Sequence, residues 1–135
     1  MSELKYKTII DKMSLEEKAN FLTGGSFWET LDIGRLGIPK IFLSDGPHGV
    51  RKQIEATDHF GMNSSVPATC FPTSATIANS WDIELGEEIG KALGEESAKI
   101  GVNVLLGPGL NIKRNPLCGR NFEYFSEDPV LSGTL

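Results

Sequence analysis

The sequence runs to 135 residues, 39% hydrophobic and 23% charged, with a formal net charge of −5. That is the profile of a globular chain of ordinary domain size. The 13 Lys and Arg residues are scattered, and without a basic patch or stripe nucleic acid is excluded as an expected partner. Apolar runs such as Ile41-Phe42-Leu43 and Val104-Leu105-Leu106 are too short to cross a bilayer. No basic region followed by an apolar run marks a signal peptide, so a cytoplasmic chain with no membrane partner is expected.

The first thirty residues read as a helical entry segment. Leu4, Ile9, Ile10 and Met13 give a rough apolar stripe, after which Ser14 and Glu17 form a Ser-x-x-Glu capping box. Leu15, Ala19 and Leu22 recur on one face of the second helix, and Gly24-Gly25 ends it. The run Ile41-Phe42-Leu43 predicts a buried parallel strand that stops at Ser44-Asp45-Gly46-Pro47-His48-Gly49. Residues 52–69 are polar and irregular, and a long loop is expected there. Phe71-Pro72-Thr73 opens a turn or short helix through Ala78. Asp82 caps a helix that carries Leu85, Ile89, Ala92 and Leu93 inward and a glutamate-rich face outward, with Gly101 as its terminator. Val102 to Leu106 predicts a second strand, ending in Gly107-Pro108-Gly109. A polar, arginine-rich loop then leads to Ser126-Glu127-Asp128-Pro129, the first turn of another helix.

Strands alternating with helices predict a parallel α/β fold. A (β/α)8 barrel needs about 250 residues, and the units here make up about a quarter to a third of one. The expected fold class is therefore the truncated N-terminal portion of a TIM-type barrel. Its helical entry spans residues 1–30 and its first βα units residues 38–135, with the chain cut at a helix start. Strands taken from a closed barrel would keep unpaired edges, so self-association is expected.

Cys70 and Cys118 belong to no Cys-x-x-Cys pair and read as free thiols. A zinc site from His48, His59, Cys70 and Cys118 lacks ligand spacing, and neither a metal nor an organic cofactor is expected. Asn63-Ser64-Ser65 is a glycosylation acceptor that matters only in a secreted chain. Gly107-Pro108-Gly109 lacks the third glycine of a dinucleotide fingerprint, because residue 112 is Ile. No phosphate loop or nucleophile elbow occurs, and the two histidines have no triad spacing. The informative groups are Asp45 and Arg51 at the first strand end, and Arg114 and Arg120 after the second. A carboxylate accepts from two vicinal hydroxyls and a guanidinium donates to two acceptors, which suits a polyhydroxylated ligand. A structural ion pair between neighbouring loops fits the same spacing equally well.

Asp45-Gly46-Pro47-His48-Gly49-Val50-Arg51, Phe71-Pro72-Thr73 through Trp81-Asp82, Gly107-Pro108-Gly109-Leu110-Asn111-Ile112, and the stretch from Arg114 through Gly119-Arg120-Asn121-Phe122-Glu123 to Pro129 resemble the N-terminal barrel domain of family 3 glycoside hydrolases. The Asp-Gly-Pro-His-Gly form resembles the β-glucosidase branch. The resemblance implies that Asp45 and Arg120 bind the glycone in the −1 subsite, that Arg51 lines the pocket beside Asp45, and that Glu123 holds an arginine. It also implies a retaining two-carboxylate mechanism whose nucleophile, in a Ser-Asp-Trp-like motif, is absent here. The family's Lys-His pair and acid/base Glu are absent as well, so no residue of this chain is expected to be catalytic. The expected activity is that of a fragment of a retaining β-glucosidase acting on terminal β-D-glucosyl residues. A β-glucoside or short β-linked glucooligosaccharide would be the substrate. The alternatives are a non-catalytic sugar-binding or interaction module, or a β-xyloside or β-galactoside preference.

Overall fold

The reciprocal box at Ser14 starts the second of two N-terminal helices. Ser14 Oγ accepts from Glu17 N at 3.1 Å, and Glu17 Oε2 accepts from Ser14 N at 2.8 Å. The computed structural model describes residues 4–54 and 64–135. His59 of the zinc grouping and Asn63 of the glycosylation acceptor lie outside them. Helix α1 spans Lys7–Lys12 and α2 spans Leu15–Thr23, closed by Gly24 with φ of 83°. The Leu15, Ala19 and Leu22 face points to solvent, whereas Glu17 and Phe21 are half-buried. What fastens this segment is polar. Arg35, in the 3-10 turn Gly34–Leu36, donates to both carboxylate oxygens of Glu17 and, at 2.9 Å, to Lys12 O.

Strand β1 spans Leu43–Asp45 and β2 spans Val104–Leu106. They pair in parallel, with Leu43 opposite Val104 and Asp45 opposite Leu106. Both strands begin two residues later than the apolar runs predict. Ile41 is engaged on the other side, where Thr30 N donates to its O. Phe42 is held on both sides: it bridges antiparallel to Glu29, and its O accepts from Asn103 N at 2.9 Å and Val104 N at 3.1 Å, outside the regular ladder. Val102 is buried but closes the preceding helix, its N–H donating to Ser97 O at 2.8 Å. The shift makes Asp45 the last residue of β1 rather than a loop residue.

Between the strands lie α3 (Ser74–Ala78), capped by Thr73, and α4 (Ile83–Lys99), capped by Asp82, whose carboxylate accepts from Leu85 N at 3.0 Å. Gly101, with φ of 74°, ends α4. The expected inward face needs correction. Ile89 and Leu93 are half-buried, but Leu85 is 37% exposed and Ala92 is exposed. The face turned inward runs Gly86, Ile89, Leu93, Ser97. Leu85 lies about 100° around the helix from Gly86, which turns its side chain toward solvent. Gly86, Gly90 and Gly94 give this helix little side-chain bulk on one side. Helix α5 spans Pro129–Thr134, with Asp128 accepting from Val130 and Leu131 N–H groups. Ile77, Ala78 and Phe125 form the core cluster, with Ile89 and Leu135 packed on it.

Glu17 is held at about 2, below its ordinary 4.5, by the Arg35 hydrogen bond first and the Ser14 backbone N–H second. A depressed carboxylate stabilises the fold above its unfolded value and loses that contribution as pH falls through the folded one. Urea stability of the native chain minus that of Glu17→Gln should therefore shrink between about pH 4.5 and 2. A difference that stays constant across that window would show that the Arg35–Glu17 pair does not couple to folding.

Candidate functional site

Asp45 emerges from β1 directly into a turn that only glycine can make. Gly46 and Gly49 have φ of 141° and 140°, in the region L side chains avoid. A Cβ on Gly46 would overlap Gly49 O and stand 2.8 Å from Val50 Cα, while one on Gly49 would overlap Thr69 O. The chain folds back so that Arg51 N donates to Asp45 O at 2.8 Å. His48 fixes the turn from outside. Its O accepts from Phe71 N at 2.8 Å, its Nε2 accepts from Ser74 N at 3.2 Å, and its ring lies 5.8 Å from that of Phe122.

The turn after β2 presses against the first. A Cβ on Gly107 would come within 2.7 Å of Pro47 Cα, so a side chain there would force the two strand ends apart. Gly109 bridges to Tyr124, and its own Cβ would meet Glu123 O at 2.8 Å. These close approaches bring the 3-10 turn Asn121–Glu123 over the strand ends.

Between them lies a concavity of about 250 Å³, lined by Asp45, Asn111, Arg120, Glu123 and Tyr124 together with the turn after β2. Arg120 forms an ion pair with Glu123, whose side chain is only 13% exposed while that of Arg120 is 72% exposed. The hydrogen bond that Arg120 donates to Glu123, then the charge of that carboxylate, raises the Arg120 pKa and keeps the guanidinium cationic. Its Cζ lies 6.0 Å from the centre of the Tyr124 ring, in range of a cation–π contact. Glu123 thus holds an arginine, as the resemblance implies.

The three sequence-predicted site residues divide. Asp45 and Arg120 line one concavity, whereas Arg51 is not among its lining residues. Val50 is buried at 4% exposure, and in the extended backbone that follows, Arg51 is exposed instead. His48 faces α3 rather than the concavity. Sequence reasoning missed Asn111 and Tyr124. The Gly-x-Gly after β2 signalled that some segment comes close, but not which one. Among the described residues, no group of three or more His, Cys, Asp or Glu side chains is placed to hold a metal ion. No described helix is long and apolar enough to cross a membrane, and Cys70 and Cys118 are exposed and free.

Residues 28–135 match the glycosyl hydrolase family 3 N-terminal domain. The chain belongs to glycosyl hydrolase family 3. Its paired parallel strands are the opening part of that family's (β/α)8 barrel. Thermostable beta-glucosidase B of Acetivibrio thermocellus is 60% identical over 129 residues, covering 96% of this chain and 17% of that protein. An exo-alpha-(1->6)-L-arabinopyranosidase of Bifidobacterium longum is 48% identical over 134 residues, covering 98% of this chain and 18% of that protein. The crystal structure of the Kluyveromyces marxianus beta-glucosidase in complex with glucose superposes with a TM-score of 0.84 at 39% identity, covering 98% of this chain and 15% of that one. The family 3 chain described here thus spans less than a fifth of the length of these relatives.

Gly46→Ala should destabilise the chain by about 1–3 kcal/mol through backbone strain alone, with the overlap adding to it. Gly37→Ala, also at positive φ but with nothing within 4 Å of the added Cβ, should cost less. Urea midpoints of the two variants check the order, and equal midpoints would mean the turn relaxes freely.

Proposed function

We propose that this chain supplies part of the glycone-binding surface of a retaining β-glucosidase acting on terminal non-reducing β-D-glucosyl residues. In this reading residues 38–135 hold the first barrel units and residues 1–30 are a helical entry. The observation that carries it is the placement of Asp45 and Arg120 in one concavity at the C-terminal ends of parallel strands, where barrels build their sites. Asp45 accepts from vicinal hydroxyls, and Arg120, oriented by Glu123, donates to sugar oxygens. Arg51 enters as the backbone neighbour of Asp45. Retaining hydrolysis needs a nucleophile and an acid/base about 5–5.5 Å apart. The sequence contains no Ser-Asp-Trp-like motif, so both groups are assigned to residues outside it. A cytoplasmic setting, with two unpaired thiols, goes with this reading.

One relative favours a second glycone. The Bifidobacterium longum protein is named for α-L-arabinopyranose, a pyranose without the exocyclic hydroxymethyl of glucose. Titrations of the 15N-labelled chain with methyl β-D-glucoside and methyl α-L-arabinopyranoside separate the two. The glucoside should bind more tightly, and a reversed order would assign the arabinoside. Asp45→Asn and Arg120→Ala should each weaken binding by about tenfold or more, since hydrogen bonds to charged groups contribute about 1.5–3 kcal/mol. Unchanged affinity in both variants would remove the proposed site. The chain alone should not hydrolyse a nitrophenyl β-glucoside, because loss of catalytic groups that act as a unit can cost about a millionfold.

Self-association belongs to the same reading. Val104 and Leu106 of β2 are 41% and 47% exposed, and edges of this kind favour pairing with another chain. Sedimentation velocity should show concentration-dependent association that Leu106→Lys weakens, and a monomer at all concentrations would defeat it.

A further inference from the structure

We propose that Trp81 forms the platform of a second carbohydrate-binding groove, separate from the Asp45 concavity and suited to an extended β-linked oligosaccharide. The inference rests on the glycoside reading above only for the class of ligand. Trp81 joins α3 to α4 with a backbone φ of 57°, a left-handed conformation that is uncommon for any residue but glycine and an outlier for a bulky one. Such strain persists where the surroundings fix it. Here Trp81 N donates to Ala78 O at 3.2 Å on one side, and Asp82 caps α4 on the other. The outcome is an indole that is 74% exposed although it adjoins the core cluster.

The indole borders two adjoining hollows. One, of about 530 Å³, has Ala78 and Phe125 from the core in its wall and carries Lys113, Arg114 and Glu127. The other, of about 660 Å³, shares Trp81, Ser126, Glu127 and Leu131 with the first and extends it toward Ile83, Val130 and Thr134. Each lies within the roughly 300–1,000 Å³ of small-molecule sites, and two in succession suit a chain of sugars better than a single ring. Among the described residues, the side chains of Lys113, Arg114 and Glu127 make no ion pair or hydrogen bond. A pyranoside offers an apolar C–H face to an indole and a hydroxyl edge to charged groups of both signs. That combination matches the groove, whereas a purely anionic ligand would be opposed by Glu127. The loop of residues 111–125 separates the sites, with Arg120 and Glu123 lining one and Arg114 and Asn121 the other.

The test is an NMR titration of the 15N-labelled chain with cellotetraose, following the indole N–H of Trp81. Binding should be saturable, and Trp81→Asn should weaken it by about tenfold or more, the scale of stacking contacts worth 1–3 kcal/mol. Asn tolerates the left-handed backbone, so this variant removes the ring and keeps the turn. Arg114→Ala should weaken binding independently, and Asp45→Asn should leave the Trp81 response within about twofold. Loss of the Trp81 response in Asp45→Asn would overturn the proposal by showing one site instead of two. So would cellotetraose that never perturbs Trp81. Self-association that Trp81→Asn abolishes, without any sugar response, would reassign the groove to a second copy of the chain. A Trp81 response that persists while glucosides fail to bind near Asp45 would leave this inference standing and the primary site wrong.

Discussion

Three residues of β1 lie beside three residues of β2, and that short parallel pairing fixes where every group of interest can stand. A parallel ladder places both strand ends on the same side, so the turns that follow must share one small volume. Pro47 and Gly107 occupy it together, with no space for a side chain on Gly107. Asp45 ends one strand, and the turn after the other carries the chain to Tyr124 and back over Asp45. The concavity is therefore a consequence of backbone contact between turns, and the polar side chains merely line it. Most of the apolar surface that would ordinarily secure such a site is elsewhere or exposed, as the small cluster of Ile77, Ala78 and Phe125 makes plain.

Two arginine–glutamate pairs show how the same chemistry serves different ends. Arg35 joins the entry helices to the segment before β1 through Glu17 and the Lys12 carbonyl. Arg120 is held by a glutamate only three residues away, so the pair ties no distant elements together. Its effect is to orient one guanidinium beside the strand ends while the carboxylate behind it is largely sheltered. A pair whose guanidinium is 72% exposed adds little stability, and the second is better understood as positioning than as a brace.

Much of the architecture was legible in the sequence because local signals agreed with one another. The Ser14–Glu17 box, the Asp82 cap and the glycines at residues 24 and 101 mark helix ends by local features. Ser126-Glu127-Asp128-Pro129, by contrast, reads as a first turn, and the helix begins only at Pro129, with Asp128 as its cap. Strand starts were less legible. Ile41 is apolar enough to pair with β2, but the segment near Thr30 claims it, and Phe42 is shared between that segment and Asn103–Val104, a competition that is not local. The turn toward solvent of Leu85 has the same origin, since helical periodicity gives a face but not the partner that selects it. At the site, motif order brought Asp45 and Arg120 together, while the exposure of Arg51 depends on which way a two-glycine turn folds back. Tyr124 arrives by a long-range contact that the glycines after β2 permit without identifying the partner.

The glycines of α4 bear on how the chain reaches this structure. Gly86, Gly90 and Gly94 each weaken a helix by roughly 1 kcal/mol relative to alanine, so the segment from Ile83 to Lys99 has poor helicity of its own. Its stability as a helix must come from docking, with Leu135 O resting 3.4 Å from where a Gly86 Cβ would be. The crossover between the two strands is thus a borrower of order from its neighbours. In a polypeptide emerging from the ribosome, it would consolidate only once β2 and the segment ending at Leu135 were present to receive it.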